Sequence, residues 1–161
     1  LETAILRRPW GGEELALLRE GYPGSALLGR YQARLALLQG APDEAEGVVR
    51  RLLDRQPRDA ALHRLHGEIL EARHDPDGAL RSYGLALELD PADAEAFGSL
   101  VRLHLAQGSL EPLLERVRRL RTLEPGDLVR WDREVEVLHR MGRLEEAREL
   151  AARRPATGGT A

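Results

Sequence analysis

The sequence predicts an all-α protein, a solenoid built from antiparallel helix pairs. Three sets of residues recur at an interval of 34 and lead to this prediction. The first set is proline, at Pro23, Pro57, Pro91 and Pro125. The second follows each proline by two residues and consists of Ser25, Asp59, Asp93 and Asp127. The third consists of Gly40, His74, Gly108 and Gly142. A fixed repeat of this length is typical of helical solenoids.

Each recurring residue has a mechanical role in a helix pair. Proline cannot continue a helix, so it ends the second helix of a pair. The serine or aspartate accepts a free backbone N–H and caps the next helix. Glycine supports the left-handed turn between the paired helices. These positions predict eight helices in four pairs: 26–39 with 43–55, 60–73 with 77–89, 94–107 with 110–123, and 128–141 with 144–153.

The composition limits the class of protein. The chain is 42% hydrophobic and 32% charged but only 4% aromatic, which suits helices that pack on helices. Its net charge of −3 argues against a dedicated surface for nucleic acid or anionic membrane. There is no cysteine for a disulfide, and no apolar run reaches the roughly 18 residues of a membrane span. We expect neither a nucleic-acid partner nor a membrane span, and we favour the cytoplasm.

The middle unit resembles a known repeat family. Its matching positions are Gly67, Ala79, Tyr83, Ala86 and Pro91, while His63, His66 and Leu70 stand at three further positions of the motif. This spacing resembles the tetratricopeptide repeat, Trp-x2-Leu-Gly-x2-Tyr followed by Ala-x3-Phe and Pro. The three departures replace Trp, Leu and Tyr. The resemblance implies a right-handed superhelical solenoid whose first helices line a concave groove for partner peptides.

The resemblance also suggests a division of the chain. Residues 25–154 are expected to form four tetratricopeptide-like helix pairs, at about 26–59, 60–93, 94–127 and 128–154. Residues 1–24 are expected to be a partial N-terminal repeat, the second helix of an incomplete unit. Residues 155–161 are expected to fray. Because the chain begins with Leu1 and shows no secretory signal pattern, we expect a processed product, an excised domain or the ordered part of a longer chain.

By the same resemblance, partner-binding residues can be placed on the first helices. They are Arg30, Arg34, Arg64, Glu68, Glu71, Glu95, Arg102, Asp132, Arg133, Glu136 and His139. The ninth residue of each first helix alternates in charge, as Arg34, Glu68, Arg102 and Glu136. The arginines could offer planar forks to partner carboxylates. Alternatively, the ninth-position residues could pair with one another on a solvated face, each pair worth under about 1 kcal/mol.

No motif indicates catalysis or a metal. There is no HExxH sequence and no convergent carboxylate triad, and His63, His66 and His104 occupy packing positions of the repeat. Spacing suggests no His–Asp partner for any serine or threonine. The chain also has neither Lys nor Asn, so it lacks the Lys/Asn clamp by which some family members bind acidic chaperone tails. We expect no enzyme activity, no cofactor and no metal.

Three functions are compatible with these features. The first is a non-catalytic scaffold that binds a partner peptide or protein in the concave groove. The second is a regulatory or targeting domain of a larger enzyme or assembly. The third is a structural module that self-associates through apolar solenoid ends and forms a homo-oligomer. Further repeats or further chain in a longer protein are the favoured explanation of the apolar ends.

Overall fold

The helices of the protein follow the 34-residue period. The computed structural model describes residues 25–155, so the predicted partial repeat at 1–24 and most of the expected tail lie outside the described residues. Within that range there are eight α-helices and no β-strand. They are α1 (Ala26–Leu38), α2 (Pro42–Leu53), α3 (Ala60–Ala72), α4 (Pro76–Leu89), α5 (Ala94–Ala106), α6 (Glu111–Leu123), α7 (Leu128–Arg140) and α8 (Leu144–Arg153). Every bound lies within two residues of the predicted one.

The first helix of each pair begins at a side-chain cap. Ser25, Asp59, Asp93 and Asp127 have extended backbone and precede α1, α3, α5 and α7. Each side chain accepts a hydrogen bond from a backbone N–H two or three residues ahead, at 2.9–3.4 Å. These bonds satisfy donors that the helix itself leaves without a partner, so the predicted capping role is confirmed.

The turn inside each pair is left-handed. Gly40, Gly108 and Gly142 have φ of 74°, 86° and 75°, and His74 takes the same conformation with φ of 60°. In all four turns, the next residue donates its N–H to the carbonyl five residues earlier, at 2.8–3.0 Å. This bond closes the end of the preceding helix and reverses the chain, which makes the paired helices antiparallel.

The described residues fall into two compact units, whose division lies within α4, between Ser82 and Tyr83. In the first unit, α1 packs on α2 and α2 packs on α3. The fully buried core residues there include Ala33, Ala45, Val49, Leu62 and Ile69. The approach of α1 to α2 is close, because a Cβ atom added to Gly29 would lie 2.9 Å from a Leu52 methyl carbon. Small side chains therefore set the helix spacing in this unit.

The second unit contains the last residues of α4 and helices α5 to α8. Its largest fully buried side chains are Tyr83, Leu87, Phe97, Leu100, Leu113, Leu114, Val117 and Leu138. Trp131 stands at the position where the repeat family has its own Trp, and only 9% of it is exposed. Its indole N–H donates to the carbonyl oxygen of Pro125 at 2.8 Å. Trp131 is thus a core residue with a satisfied donor.

Candidate partner-binding groove

A groove lies between α1 and α3 in the first unit. Its volume is about 380 Å³. Six apolar side chains and three arginines line it: Leu27, Arg30, Tyr31, Arg34, Leu35, Leu38, Ala61, Arg64 and Leu65. The structure thus brings together three of the eleven predicted residues, Arg30, Arg34 and Arg64. The apolar part of the lining was not among the predicted site residues.

Each groove arginine has an acidic neighbour. Arg30 Nη1 lies 3.4 Å from Asp59 Oδ2, the same carboxylate that caps α3. Arg64 Nη1 donates to Glu68 Oε1 at 3.1 Å, and Arg34 Nη2 lies 3.7 Å from that same oxygen. The Arg30 and Arg34 side chains are 37% and 57% exposed, so their ion pairs stabilise the fold by only about 1 kcal/mol or less each, whereas the Arg64 side chain is only 18% exposed.

The ninth residues of the first helices have different neighbours. The Arg34–Glu68 contact matches the pairing alternative raised by the sequence. Glu136 instead accepts from Arg140, at 2.9 and 3.2 Å, and lies 3.5 Å from Arg133. Arg102 is exposed on α5. Among the other predicted residues, Glu71 on α3 is half-buried and Glu95 on α5 is exposed.

The Arg133 side chain makes most of its contacts within the second unit. Its guanidinium lies over the Phe97 ring, 4.3 Å from the ring centroid. It also donates to the carbonyl oxygens of Pro91 at 3.2 Å and Ala92 at 3.3 Å. Only 16% of the side chain is exposed. Because its face and several donors are already in use, Arg133 ties α7 to the loop before α5.

The remaining two predicted residues lie near the end of the last pair. The carboxylate of Asp132 accepts from Arg154 Nη2 at 2.8 Å, and its other oxygen lies 2.7 Å from Arg154 Nε. The exposed His139 borders a second cavity of about 280 Å³ between α7 and α8. Its other lining residues are Val135, Leu144, Ala147, Arg148 and Ala151. Leu144 is 44% exposed, so an apolar surface is available here.

Sequence reasoning missed a buried carboxylate in each unit. Glu46 on α2 is 6% exposed and pairs with Arg50 at 2.6 Å and with Arg73. Glu134 on α7 is 3% exposed and pairs with the α6 residues Arg118 at 3.0 Å and Arg121 at 2.5 Å. The signal that could have found Glu46 is its place beside the buried Ala45 and Val49, with an arginine one turn later.

Near Glu46, a serine, a histidine and a carboxylate that are far apart in the sequence lie close together. Ser82 Oγ lies 3.2 Å from His66 Nδ1, and His66 Nε2 lies 4.0 Å from Glu46 Oε1. Burial lowers the pKa of His66, which outweighs the opposing effect of Glu46. Ser82 is 5% exposed in the middle of α4, where backbone N–H groups are used within the helix. The contact therefore lacks the access and oxyanion donors that acyl transfer needs.

The described residues include two further histidines but no candidate metal site and no candidate membrane-spanning helix. His63 Nε2 lies 2.8 Å from the Pro57 carbonyl oxygen, and His104 is buried, which lowers its pKa. Within residues 25–155, no group of three or more His, Cys, Asp or Glu side chains could hold a metal ion. The helices of this range fall short of the length and hydropathy that a membrane-spanning helix needs.

The helix pairs, their left-handed turns and the groove on the first helices define a helical-repeat fold of the tetratricopeptide type. The comparison with known proteins agrees. The Caenorhabditis elegans tetratricopeptide repeat-containing protein trd-1 is 33% identical over 93 residues, which are 57% of this chain and 11% of trd-1. The chain thus matches about a tenth of the length of this curated relative. No family model matches the chain.

Two solved structures share the fold. The match to a crystal structure of MamA covers 86% of this chain and 81% of the MamA chain, with a TM-score of 0.56 and 14% sequence identity. The structure of Naa15/Naa10 bound to HypK-THB covers 92% of this chain and 23% of the matched chain, with a TM-score of 0.61 and 16% identity. The suspected resemblance to tetratricopeptide repeat proteins is confirmed, and so is the predicted all-α, solenoid-type fold class.

Proposed function

We propose that the chain is a non-catalytic protein–protein interaction scaffold that binds a segment of a partner protein in the groove between α1 and α3. The observation that carries this proposal is the composition of the groove, where half-buried apolar side chains and the exposed Leu38 lie beside Arg30, Arg34 and Arg64. Interaction sites on proteins commonly combine an exposed apolar patch with polar groups at its edge. A structure that shares the fold is itself a complex, Naa15/Naa10 bound to HypK-THB.

The other predicted residues enter the proposal by unit. Glu68 and Glu71 lie on α3 outside the groove lining, where Glu68 pairs with Arg64 and lies near Arg34. We assign the candidates on α5 and α7 to a separate surface of the second unit, where Arg133 acts through its contacts within the unit: Glu95, Arg102, Asp132, Arg133, Glu136 and His139. The division of residues 25–154 into four repeats and the cytoplasmic location remain predictions.

Capture of partners from an extract of the source organism tests the scaffold role. Wild-type protein is compared with a variant in which Arg30, Arg34 and Arg64 are all changed to Ala. Arg55, Arg58 and Arg81 are exposed arginines of the same unit outside the groove lining, so their triple Ala variant is a control with the same change in charge. Mass spectrometry should find a partner that the wild type and the control retain and the groove variant loses.

The matched control separates loss of the groove from loss of charge or of fold. Both triple variants should keep the helical circular dichroism of the wild type, because solvated ion pairs contribute little to stability. A partner that the groove variant captures at full yield would show that the groove is not its binding site.

A second function, a regulatory or targeting domain of a longer protein, is favoured by the lengths of the matched proteins. The chain covers 11% of trd-1 and 23% of the chain matched in the Naa15/Naa10 structure. The full reading frame would show whether a catalytic domain accompanies the repeats. If it does, the groove variant should alter the regulation or location of that enzyme.

Self-association is a third function, favoured by the apolar cavity between α7 and α8 with its exposed Leu144. Light scattering over a concentration series should then show a mass that rises with concentration and falls in a Leu144→Ser variant. A constant monomer mass at all concentrations would contradict self-association.

A further inference from the structure

Building on the proposed function, we propose the class of partner that the groove between α1 and α3 selects: an acidic amphipathic segment of another protein. Its apolar side chains pack on the leucines of α1, and its carboxylates contact Arg30 and Arg34. Three features carry this inference, namely the stripe of apolar side chains along α1, the charge of the lining and the size of the groove.

The apolar stripe is the part that a partner would cover. Leu27, Tyr31, Leu35 and Leu38 follow one another at spacings of four, four and three residues, which places them on one side of α1. Three of them are only partly buried, around the buried Leu28. Leu38 is 85% exposed, the largest exposed fraction among the large hydrophobic residues of the described chain. Covering this stripe is favourable for any apolar side chain.

The charge of the lining decides which apolar segment fits. Among the described residues that line the groove, three are arginines and none is acidic. Arg34 lies 3.7 Å from Glu68, which is beyond hydrogen-bonding distance, so its guanidinium can turn to a partner carboxylate without losing a hydrogen bond there. Arg30 is 37% exposed, and its hydrogen bond to Asp59 is long, at 3.4 Å. A basic segment would meet these cations as like charges.

The size of the groove limits the occupant to a few side chains. A volume of about 380 Å³ is near the lower end of the roughly 300–1,000 Å³ range of small ligand pockets. A whole domain would therefore contact the groove through one segment only. Amphipathic segments bind in such grooves through residues that recur along one face, with pockets for the apolar side chains.

Three fluorescent peptides of equal length test this selectivity by anisotropy with the full chain. The first has leucine at positions i, i+3, i+4 and i+7 and glutamate on the opposite face, so that it forms an amphipathic helix. The second carries lysine at every glutamate position, and the third carries serine at every leucine position. We expect the leucine–glutamate peptide to bind most tightly and to weaken as salt is added, because the arginine contacts are solvated.

Variants then locate the binding. Arg34→Gln should weaken the leucine–glutamate peptide by roughly threefold to fivefold, as for a solvated ion pair. Leu38→Ser should weaken it by about tenfold or more, as for a leucine that becomes buried. Two matched controls, Arg55→Gln and Leu123→Ser, remove an exposed arginine and a leucine that is 68% exposed on α6. Both controls should bind like the wild type.

The results can also overturn the inference. Equal affinity for the lysine peptide would refute the charge selectivity, and an unchanged affinity of Leu38→Ser would refute the apolar contact. If the wild type forms dimers that the Leu38→Ser variant does not form, and if no peptide binds, the occupant of the groove is a second copy of the chain instead.

Failure of this inference differs from failure of the proposed function. If a captured partner depends on residues of α5 and α7 and no peptide binds, the scaffold role stands and the selectivity proposed for the groove is wrong. If the leucine–glutamate peptide binds as expected but extracts of the source organism yield no partner, the groove chemistry stands and the scaffold role is contradicted.

Discussion

His74 stands where the other three turns have glycine, and its backbone adopts the same left-handed conformation as those glycines. Its φ of 60° matches the left-handed turns at Gly40, Gly108 and Gly142. For a residue with a Cβ atom this conformation costs roughly 1–2 kcal/mol, because the Cβ crowds the backbone carbonyl oxygen. Hydrogen bonds at the end of α3 hold the turn nevertheless, with His74 N–H on Glu71 O at 2.9 Å and Asp75 N–H on Leu70 O at 2.8 Å.

Replacing this histidine should therefore stabilise the protein. His74→Gly is expected to raise the free energy of unfolding by about 1 kcal/mol, since relief of the crowding exceeds the added entropy of glycine in the unfolded chain. The reverse change, Gly108→Ala, should lower it by about 1 kcal/mol. Apart from residues 107–109 themselves, no atom lies within 4 Å of the Cβ that this alanine would add, so its effect reports the backbone alone. Urea unfolding measures both, and a His74→Gly protein less stable than the wild type would contradict the expectation.

At the scale of single residues, the sequence predicted positions better than contacts. The 34-residue period places His74 in a turn because three glycines share that position. The same period places Arg133 on a first helix, but it does not show where the side chain goes. Its partners, the carbonyl groups of Pro91 and Ala92, lie 42 and 41 residues earlier. Only folding brings them together, so the role of this arginine could not be predicted.

Among the helices, α6 and α7 are joined by a carboxylate that is almost fully buried. Glu134 on α7 contacts both Arg118 and Arg121 of α6, and the Arg121 guanidinium also lies over the Trp131 ring, 4.5 Å from its centroid. A buried charge of this kind is tolerated only because its partners are charged and well placed. Removing the charge therefore affects the contact between two helices rather than one side chain.

Glu134→Gln is expected to lower the free energy of unfolding by about 2 kcal/mol. The loss stays below that of a fully buried pair, because the Arg118 and Arg121 side chains are 40% and 21% exposed and keep some solvation. Glu145→Gln is the matched control on α8. Glu145 pairs with Arg148 at 2.8 Å, but its side chain is 81% exposed, so the change should cost under about 1 kcal/mol. Equal losses in urea unfolding would show that burial of Glu134 contributes nothing.

The helices themselves were predictable because their start and stop signals are local. Proline, capping side chain and turn residue each act within a few residues of the helix end, so one sequence is enough to place them. Burial of Glu134 was not predictable, because a glutamate on a helix is usually solvated and the arginines that pair with it lie on another element. The groove was predicted in part: the repeat pattern placed Arg30, Arg34 and Arg64, while the apolar stripe on α1 emerged only from the packing.

Across the whole chain, each of the two units contains a histidine whose pKa is lowered by burial. His66 in the first unit faces Glu46, Arg50, Arg73 and His63, and burial has the largest effect on its pKa. For His104 in the second unit, burial acts first and Arg116 adds to it. Each folded pKa lies below the ordinary value of 6.5, so the unfolded chain binds more protons in this range.

The free energy of unfolding should accordingly fall as the pH is lowered from about 7.5 to about 5.5, and it should recover when the pH is raised. His66→Gln should reduce the slope of this decrease, because the substituted side chain binds no proton. Urea unfolding at a series of pH values measures the slope. A slope that is identical in the variant and the wild type would show that His66 does not contribute.

The two candidate surfaces are distributed between the units in a way that simplifies such experiments. The groove between α1 and α3 lies wholly in the first unit, and the cavity between α7 and α8 lies wholly in the second. In repeat proteins each helix pair is stabilised mainly by its neighbours, so a change in one unit has a local effect. Partner binding and self-association can therefore be altered separately by single substitutions.

The contact between Arg34 and Glu68 constrains how a chain of this kind can lengthen by gene duplication. A tandem copy of the first helix pair alone would put a second arginine opposite Arg34, at the 3.7 Å separation that Glu68 now has. Like charges at that distance repel. A copy of the first two pairs together would keep opposite signs in neighbouring ninth positions. The order Arg34, Glu68, Arg102, Glu136 is the pattern that duplication of such a two-pair block produces.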